Sequence, residues 1–275
     1  MKVIASTGGK GGTGKSTFAV LLSLKLSKSN RVLLVDADVE CPNDHLLLNK
    51  TLENGKDVFT EIPRLVKEKC KKCGKCVEVC RFHAVFLIKG SFPTFVEDLC
   101  SGCGACWLFC PFKAIYPEKK SIGKIFTNRV NENLWLITGR SNINVANTSE
   151  VVKELIKEAT KFAEGNGIEY MIVDTSVGTH CNVIHALVSA DKIYVVTEPT
   201  PLGAYDLRLI LKVIKRLGKE EVEIVLNRAD VGDEKEINEI AEEFSVPISL
   251  RIPYSEELFK AYCEGDLEKM VNLIE

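Results

Sequence analysis

Residues 9–16 read Gly-Lys-Gly-Gly-Thr-Gly-Lys-Ser, matching the pattern G-x-x-x-x-G-K-[ST], and lie between a short apolar run at 3–6 and a helical apolar pattern at 17–26. Few strings of this length constrain a fold so tightly. Glycines let successive backbone N–H groups turn inward on phosphate oxygens, and the N-terminus of the following helix adds its positive end. Lys15 is then placed to neutralise terminal phosphates and the Ser16 hydroxyl to ligate magnesium, while Gly11, Gly12, Thr13, Gly14 and Thr17 line the same cradle.

The rest of the chain agrees with a strand, loop and helix of that kind. Apolar runs at 31–35, 170–173, 192–197 and 222–226 read as buried strands; the first ends at Asp36, the second at Asp174 and the last at Asn227. Helical patterns at 151–163, 207–217 and 234–244 alternate with them. The expected fold class is α/β, a P-loop NTPase-type largely parallel sheet with helices on both faces and ligands at the carboxyl ends of the strands.

Between residues 64 and 117 the texture changes to Cys, Gly, Lys and short apolar pieces, with no helix long enough to cover a sheet. Eight of the eleven cysteines fall here, as Cys70, Cys73, Cys76, Cys80 and Cys100, Cys103, Cys106, Cys110. C-x2-C-x2-C-x3-C twice is a specific metal signature, because short loops bring three thiolates around one face of a cubane. This spacing resembles bacterial two-cluster ferredoxins, in which the fourth cysteine ligates the other cluster. The resemblance implies one 4Fe-4S cluster on Cys70, Cys73, Cys76 and Cys110, and a second on Cys100, Cys103, Cys106 and Cys80. Zinc is the competing reading, since tetrathiolate sites also bind it, and Gly74, Gly102 and Gly104 within the loops favour clusters. Residues 64–117 are thus expected to be an inserted α+β ferredoxin-like domain, dividing the ATPase domain into 1–63 and 118–275. A small hairpin joining 86–88 to 94–96 is expected between the halves. Arg81 follows Cys80 where Pro111 follows Cys110, and a cation there would stabilise a reduced cluster; Trp107 and Phe82 read as packing around the clusters.

Lys10 makes the phosphate loop more distinctive. Lys10 to Ser16 resembles the deviant Walker A loop of the MinD, ParA, nitrogenase iron protein and Mrp group of ATPases. That resemblance implies that Lys10 reaches across a nucleotide-sandwich dimer to the partner's phosphates. It also implies that Asp38, in Asp36-Ala37-Asp38-Val39-Glu40-Cys41-Pro42-Asn43, orients the attacking water and sits near magnesium. Residues 174–179 resemble the second switch, with Asp174 close to the magnesium shell and Gly178 placed to sense the terminal phosphate; Ser176 and Val177 stand where relatives often carry prolines. Asn227 matches the position that hydrogen-bonds adenine, and Ile252-Pro253-Tyr254 resembles the loop closing over the base. Of the remaining cysteines, Cys41 and Cys181 each follow a switch and Cys263 lies near the C-terminus. Cys181 has the spacing from Asp174 at which the nitrogenase iron protein holds an intersubunit cluster; a buried or reducible thiol is the favoured alternative.

Composition bounds the partners. With 36 Lys and Arg against 38 Asp and Glu, the net charge of -2 gives no bulk attraction to nucleic acid or anionic membrane. No apolar stretch approaches the ~18 residues of a membrane helix, and no signal-peptide pattern opens the chain. A cytoplasmic ATPase is expected, forming a nucleotide-dependent homodimer with ATP and Mg2+ and meeting a redox or apo-protein partner. Three functions fit the motifs: ATP-gated electron transfer, delivery of iron-sulfur clusters as by Mrp-type carriers, and redox-sensing regulation. The carriers use a CxxC pair near the C-terminus, where this chain has only Cys263, which favours electron transfer.

Overall fold

The computed structural model describes residues 1–273. Along the chain the elements are β1 (Lys2–Thr7), α1 (Lys15–Ser27), β2 (Val32–Ala37), α2 (Asp44–Leu47), β3 (Lys56–Leu65), α3 (Lys75–Glu78), β4 (Val85–Phe86), β5 (Thr94–Phe95), α4 (Ala105–Leu108), β6 (Ile115–Arg129) and β7 (Leu134–Ser141). There follow α5 (Ser149–Asn166), β8 (Tyr170–Thr175), α6 (Cys181–Val188), β9 (Lys192–Thr197), α7 (Pro201–Arg216), β10 (Val222–Asn227), α8 (Lys235–Phe244), β11 (Ile248–Ile252), α9 (Glu256–Glu264) and α10 (Leu267–Leu273). The chain divides into two compact units. One comprises Met1–Gly55, Ile125–Arg140 and the chain from Val152 on; the other comprises Lys56–Lys124 and Ser141–Val151.

In the first unit the strand order is β11-β10-β9-β1-β8-β2-β7-β6. The pairings from β11 through β7 are parallel. Continuous apolar sequence explains this: Val32, Leu33, Leu34 and Val35 are fully buried, as are Met171, Ile172 and Val173. Each such side chain contributes about 1.5–3 kcal/mol on leaving water. Helix α7 shows how the covering layer is specified. Leu207, Ile210, Leu211 and Ile214 repeat at helical spacing and are buried, and the Thr200 hydroxyl caps the first turn by accepting from the Gly203 N–H, with Pro201 next in line. Helix α1 instead is apolar on several sides, because it packs on the sheet through Ala19 and Val20 and on Ala261, Met270 and Val271 through Leu21.

Register then delivers the polar residues. Asp36 lies directly across from Asp174, and Ser6 lies across from the same aspartate on its other side. Three strands therefore end on one row of polar side chains, at the carboxyl edge where β1 runs into the phosphate loop.

The second unit is a repeat with an offset of thirty residues. Lys72 and Gly102, Gly74 and Gly104, and His83 and Lys113 form matching pairs that share left-handed φ values. One-turn helices α3 and α4 start at corresponding places. The halves are laced crosswise: the Val66 N–H donates to the Ala114 carbonyl and the Val96 N–H to the Ala84 carbonyl, both at 2.8 Å. The unit's core contains Cys76, Val85, Cys106 and Ile115, with Leu65, Phe95 and Trp107 packed against it. The hairpin forms one residue earlier on its first strand than expected, Val85 opposite Phe95 and Phe86 opposite Thr94, because Val85 is the apolar residue that the core buries while Ile88 is exposed.

Candidate functional site

The first unit brings the phosphate loop, both aspartate-ended strands and Asn227 together. Gly12 and Gly14 have φ of 80° and 92°, and the Ser6 hydroxyl donates to the Lys15 carbonyl at 3.0 Å, tying the loop's end to β1. A Cβ on Gly14 would come within 2.7 Å of Asn227 Nδ2, and one on Gly9 within 2.5 Å of Asp206 Cβ. These glycines let the loop lie against β10 and α7. Asn227 Nδ2 donates to the Thr13 carbonyl at 2.8 Å. Thus the residue expected at adenine also holds the loop. Pro253 follows the end of β11, where the Tyr254 N–H donates to Asp230 Oδ1 at 2.6 Å.

Beneath the loop, buried Lys15 donates from Nζ to Asp174 Oδ1 at 3.1 Å and lies 3.4 Å from Ser16 Oγ. Burial works against this ammonium, yet Asp174, with Asp44 and Asp38 beyond, leaves its pKa above the ordinary value. Three carboxylates, Asp36, Asp44 and Asp174, are fully buried and offer oxygens all within 4.8 Å of one another. Asp36 accepts backbone N–H bonds from Asp38, Asn43 and Asp44, at 3.2, 3.0 and 3.1 Å. Burial and the neighbouring Asp174 nevertheless push its pKa to about 8. Burial also raises Asp174, opposed by Lys15, and raises Asp44 well above its usual range, reinforced by Asp36. Both Asp44 carboxylate oxygens lack a hydrogen-bond partner.

A crowd of buried acids served by one lysine suits a divalent cation, whose charge would hold them ionised. Asp36 and Asp44 were not read from the sequence as members of this group. Asp38, which was, lies half-buried at its edge and accepts the Cys41 N–H at 3.3 Å. The signal for Asp44 is an aspartate opening a one-turn helix just before the apolar run at 46–48, where a carboxylate is otherwise out of place.

Lys10 is engaged by a carboxylate: its Nζ lies 2.5 Å from Glu198 Oε1. Cys41 and Cys181 are exposed, and the side chains of their neighbours Glu40 and Asn182 meet at 3.4 Å. Cys263 is exposed in α9.

In the second unit the eight thiols line two cavities. Cys70, Cys73, Cys76 and Cys110 surround one, together with Gly74, Pro93 and Ile115. Cys80, Cys100, Cys103 and Cys106 surround the other, together with Gly104, Phe82 and Trp107. Each set thus takes three thiols from one half of the repeat and one from the other, as the crosswise backbone lacing requires. Among the described residues no three thiols come within 4.8 Å of one another. Burial raises the Cys76 and Cys100 thiols, and burial with Cys100 and Cys103 nearby pushes Cys106 to about 12.

Residues 4–268 match the model of the CobQ/CobB/MinD/ParA nucleotide binding domain. The chain belongs to that family. An uncharacterised protein of Methanocaldococcus jannaschii is 38% identical over 267 residues, 97% of this chain and 91% of that protein. Among solved structures, the septum site-determining protein MinD complexed with Mg-ADP from Pyrococcus horikoshii superposes with a TM-score of 0.57 at 18% identity, covering 99% of this chain and 92% of that one. An ATP complex of Cyanothece McdA gives 0.59 at 18% identity, covering 100% and 95%. The expected P-loop ATPase fold, with its mostly parallel sheet, is therefore shown. Among the described residues no helix is long and apolar enough to cross a membrane.

Proposed function

We propose that the chain binds and hydrolyses ATP with Mg2+ and couples that cycle to electron transfer through two 4Fe-4S clusters. The observation that carries the coupling is the pair of four-thiol cavities in a chain that also builds a ParA/MinD-type nucleotide site. Cys70, Cys73, Cys76 and Cys110 would hold one cluster and Cys80, Cys100, Cys103 and Cys106 the other. Such clusters supply one-electron redox chemistry.

At the nucleotide site, backbone N–H groups of residues 11–16 would bind the phosphates and Lys15 would leave Asp174 to neutralise them. Ser16, Asp174, Asp38 and the buried Asp36 and Asp44 would hold magnesium directly or through water, and Asp38, at the site's edge, would orient the attacking water. Lys10 would reach the phosphates of a second copy, closing a homodimer on ATP. The partner would be a separate redox protein or apo-protein.

The test is anaerobic reconstitution followed by partner-free assays. Iron and sulfide in cluster stoichiometry, with ATP turnover lost in Lys15→Ala, support the reading. Zinc in place of iron overturns its redox half, and cluster transfer to an apo-acceptor on ATP addition would replace gated electron transfer with cluster delivery.

A further inference from the structure

Lys10 pairs with a carboxylate that also serves a second cation. Glu198 Oε1 accepts from Lys10 Nζ at 2.5 Å, while its Oε2 accepts from Arg228 Nη1 at 3.0 Å. The Glu198 side chain is 8% exposed, against 32% for Lys10 and 47% for Arg228. One oxygen therefore faces each cation, and the carboxylate is the buried member of all three.

The backbone around Glu198 has little room to move. It directly follows β9, and a Cβ on Gly203 would meet its carbonyl oxygen at 2.3 Å. A Cβ on Gly232 would meet the next carbonyl, that of Pro199, at 2.0 Å. Arg228 is anchored as well: its N–H donates to Asn227 Oδ1 at 3.0 Å, and the same Asn227 holds the Thr13 carbonyl. The contacts close a ring, since the Thr13 hydroxyl reaches back to the Lys10 carbonyl at 3.5 Å. Glu198 thus holds the more exposed Lys10 from a closely packed seat.

We propose that Glu198 is a positioning residue that latches Lys10 within its own subunit, with Arg228 as the standing counter-ion that allows the latch to release. This rests on the reading that Lys10 acts across a dimer. To reach a second copy's phosphates the ammonium must leave Glu198, which opposes dimer closure. If Glu198 had no other partner, departure would strand a buried carboxylate, and a buried charge that loses its only partner is strongly penalised. Arg228 remains on the other oxygen, so the penalty is reduced to the loss of one ion pair. The arrangement sets a threshold: closure occurs when a second copy with bound ATP offers Lys10 more than Glu198 does.

Opposite changes in ATP-dependent dimerisation test the latch. The measurement is sedimentation velocity of the reconstituted full chain with MgATP, read beside ATP turnover per subunit. Glu198→Gln should tighten the dimer about five- to tenfold, the scale of two partly exposed ion pairs released per dimer, and raise turnover at low protein concentration. Arg228→Gln should weaken the dimer by a similar factor. In a Lys10→Ala background Glu198→Gln should change nothing, because the latch has nothing to hold. A merely structural Glu198 would give a looser dimer and a lower melting temperature when altered. Unchanged or weaker dimerisation in Glu198→Gln overturns the proposal; should that variant fail to fold, a dimer unweakened in Arg228→Gln overturns it as well. If Lys10→Ala itself dimerises and turns over like the wild type, the cross-dimer reading fails instead, and the two failures are separable.

Discussion

Replacing Asp36 with Asn tests the electrostatics of the nucleotide site before any nucleotide is added. Asp36 is fully buried and its pKa stands at about 8 against an ordinary 3.8. The folded protein therefore binds this proton more tightly than the unfolded chain does. Stability is fully present below about pH 4 and is lost as the pH rises towards 8. At about 1.4 kcal/mol per pH unit, the displacement corresponds to on the order of 5 kcal/mol, a ceiling shared with the coupled Asp44 and Asp174. Asn cannot ionise, so its stability escapes that loss. It does give up one of the acceptors that serve the Asp38, Asn43 and Asp44 N–H groups, costing about 1–2 kcal/mol at every pH. The curves should meet near pH 5, where the two losses are about equal, and Asp36→Asn should be increasingly the more stable protein from pH 6 to pH 8. The assay is urea denaturation followed by circular dichroism at pH 5, 6, 7 and 8 in magnesium-free anaerobic buffer. Parallel curves for the two proteins would refute the buried-carboxylate account.

Three further outcomes are expected. Lys15→Ala should abolish ATP binding in calorimetry, whereas Lys10→Ala should bind ATP and lose turnover; equal loss of binding in both would remove the distinction between the two lysines. Gly14→Ala, which places a side chain at φ 92° and within 2.7 Å of Asn227 Nδ2, should cost about 1–3 kcal/mol and lower the melting temperature by several degrees. An unshifted melt would mean that the loop does not need this approach. Cys110→Ser should remove the same EPR signal as Cys73→Ser, because both thiols line one cavity. A match to the Cys103→Ser spectrum would contradict the crosswise grouping.

Much of the first unit was legible because buried parallel strands leave unbroken apolar runs, as at Val32 to Val35 and Met171 to Val173, and because the phosphate loop follows one of them. Strand β7 was not read, although Leu134, Leu136 and Ile137 are apolar and buried. Gly139 marks a break in the sequence, yet in the fold it is a place of close packing: a Cβ there would meet Val39 at 2.8 Å and Leu155 at 2.9 Å. Strands β3 and β6 were missed for another reason. Pro117, Lys119, Lys120, Gly123 and Lys124 interrupt any alternation in β6, and exposed Lys56, Asp57 and Phe59 do the same in β3. The compact second unit consequently extends beyond 64–117 on both sides. In the candidate site, the phosphate loop, Asp174 and Asn227 could be found because each sits where an apolar run ends. Asp44 is marked in the sequence only by standing before the apolar run at 46–48; its place beside Asp36 and Asp174 follows from a turn after β2 that brings a one-turn helix back over the strand ends.

The central claim is that one polypeptide joins nucleotide turnover to electron transfer at its thiol-lined cavities. An EPR-monitored redox titration of anaerobically purified protein, with and without MgATP, tests it most directly. The account predicts about eight iron atoms per chain in two four-iron signals, with at least one potential displaced by MgATP in the wild type and not in Lys15→Ala. Iron-free protein, or potentials indifferent to MgATP, would contradict it.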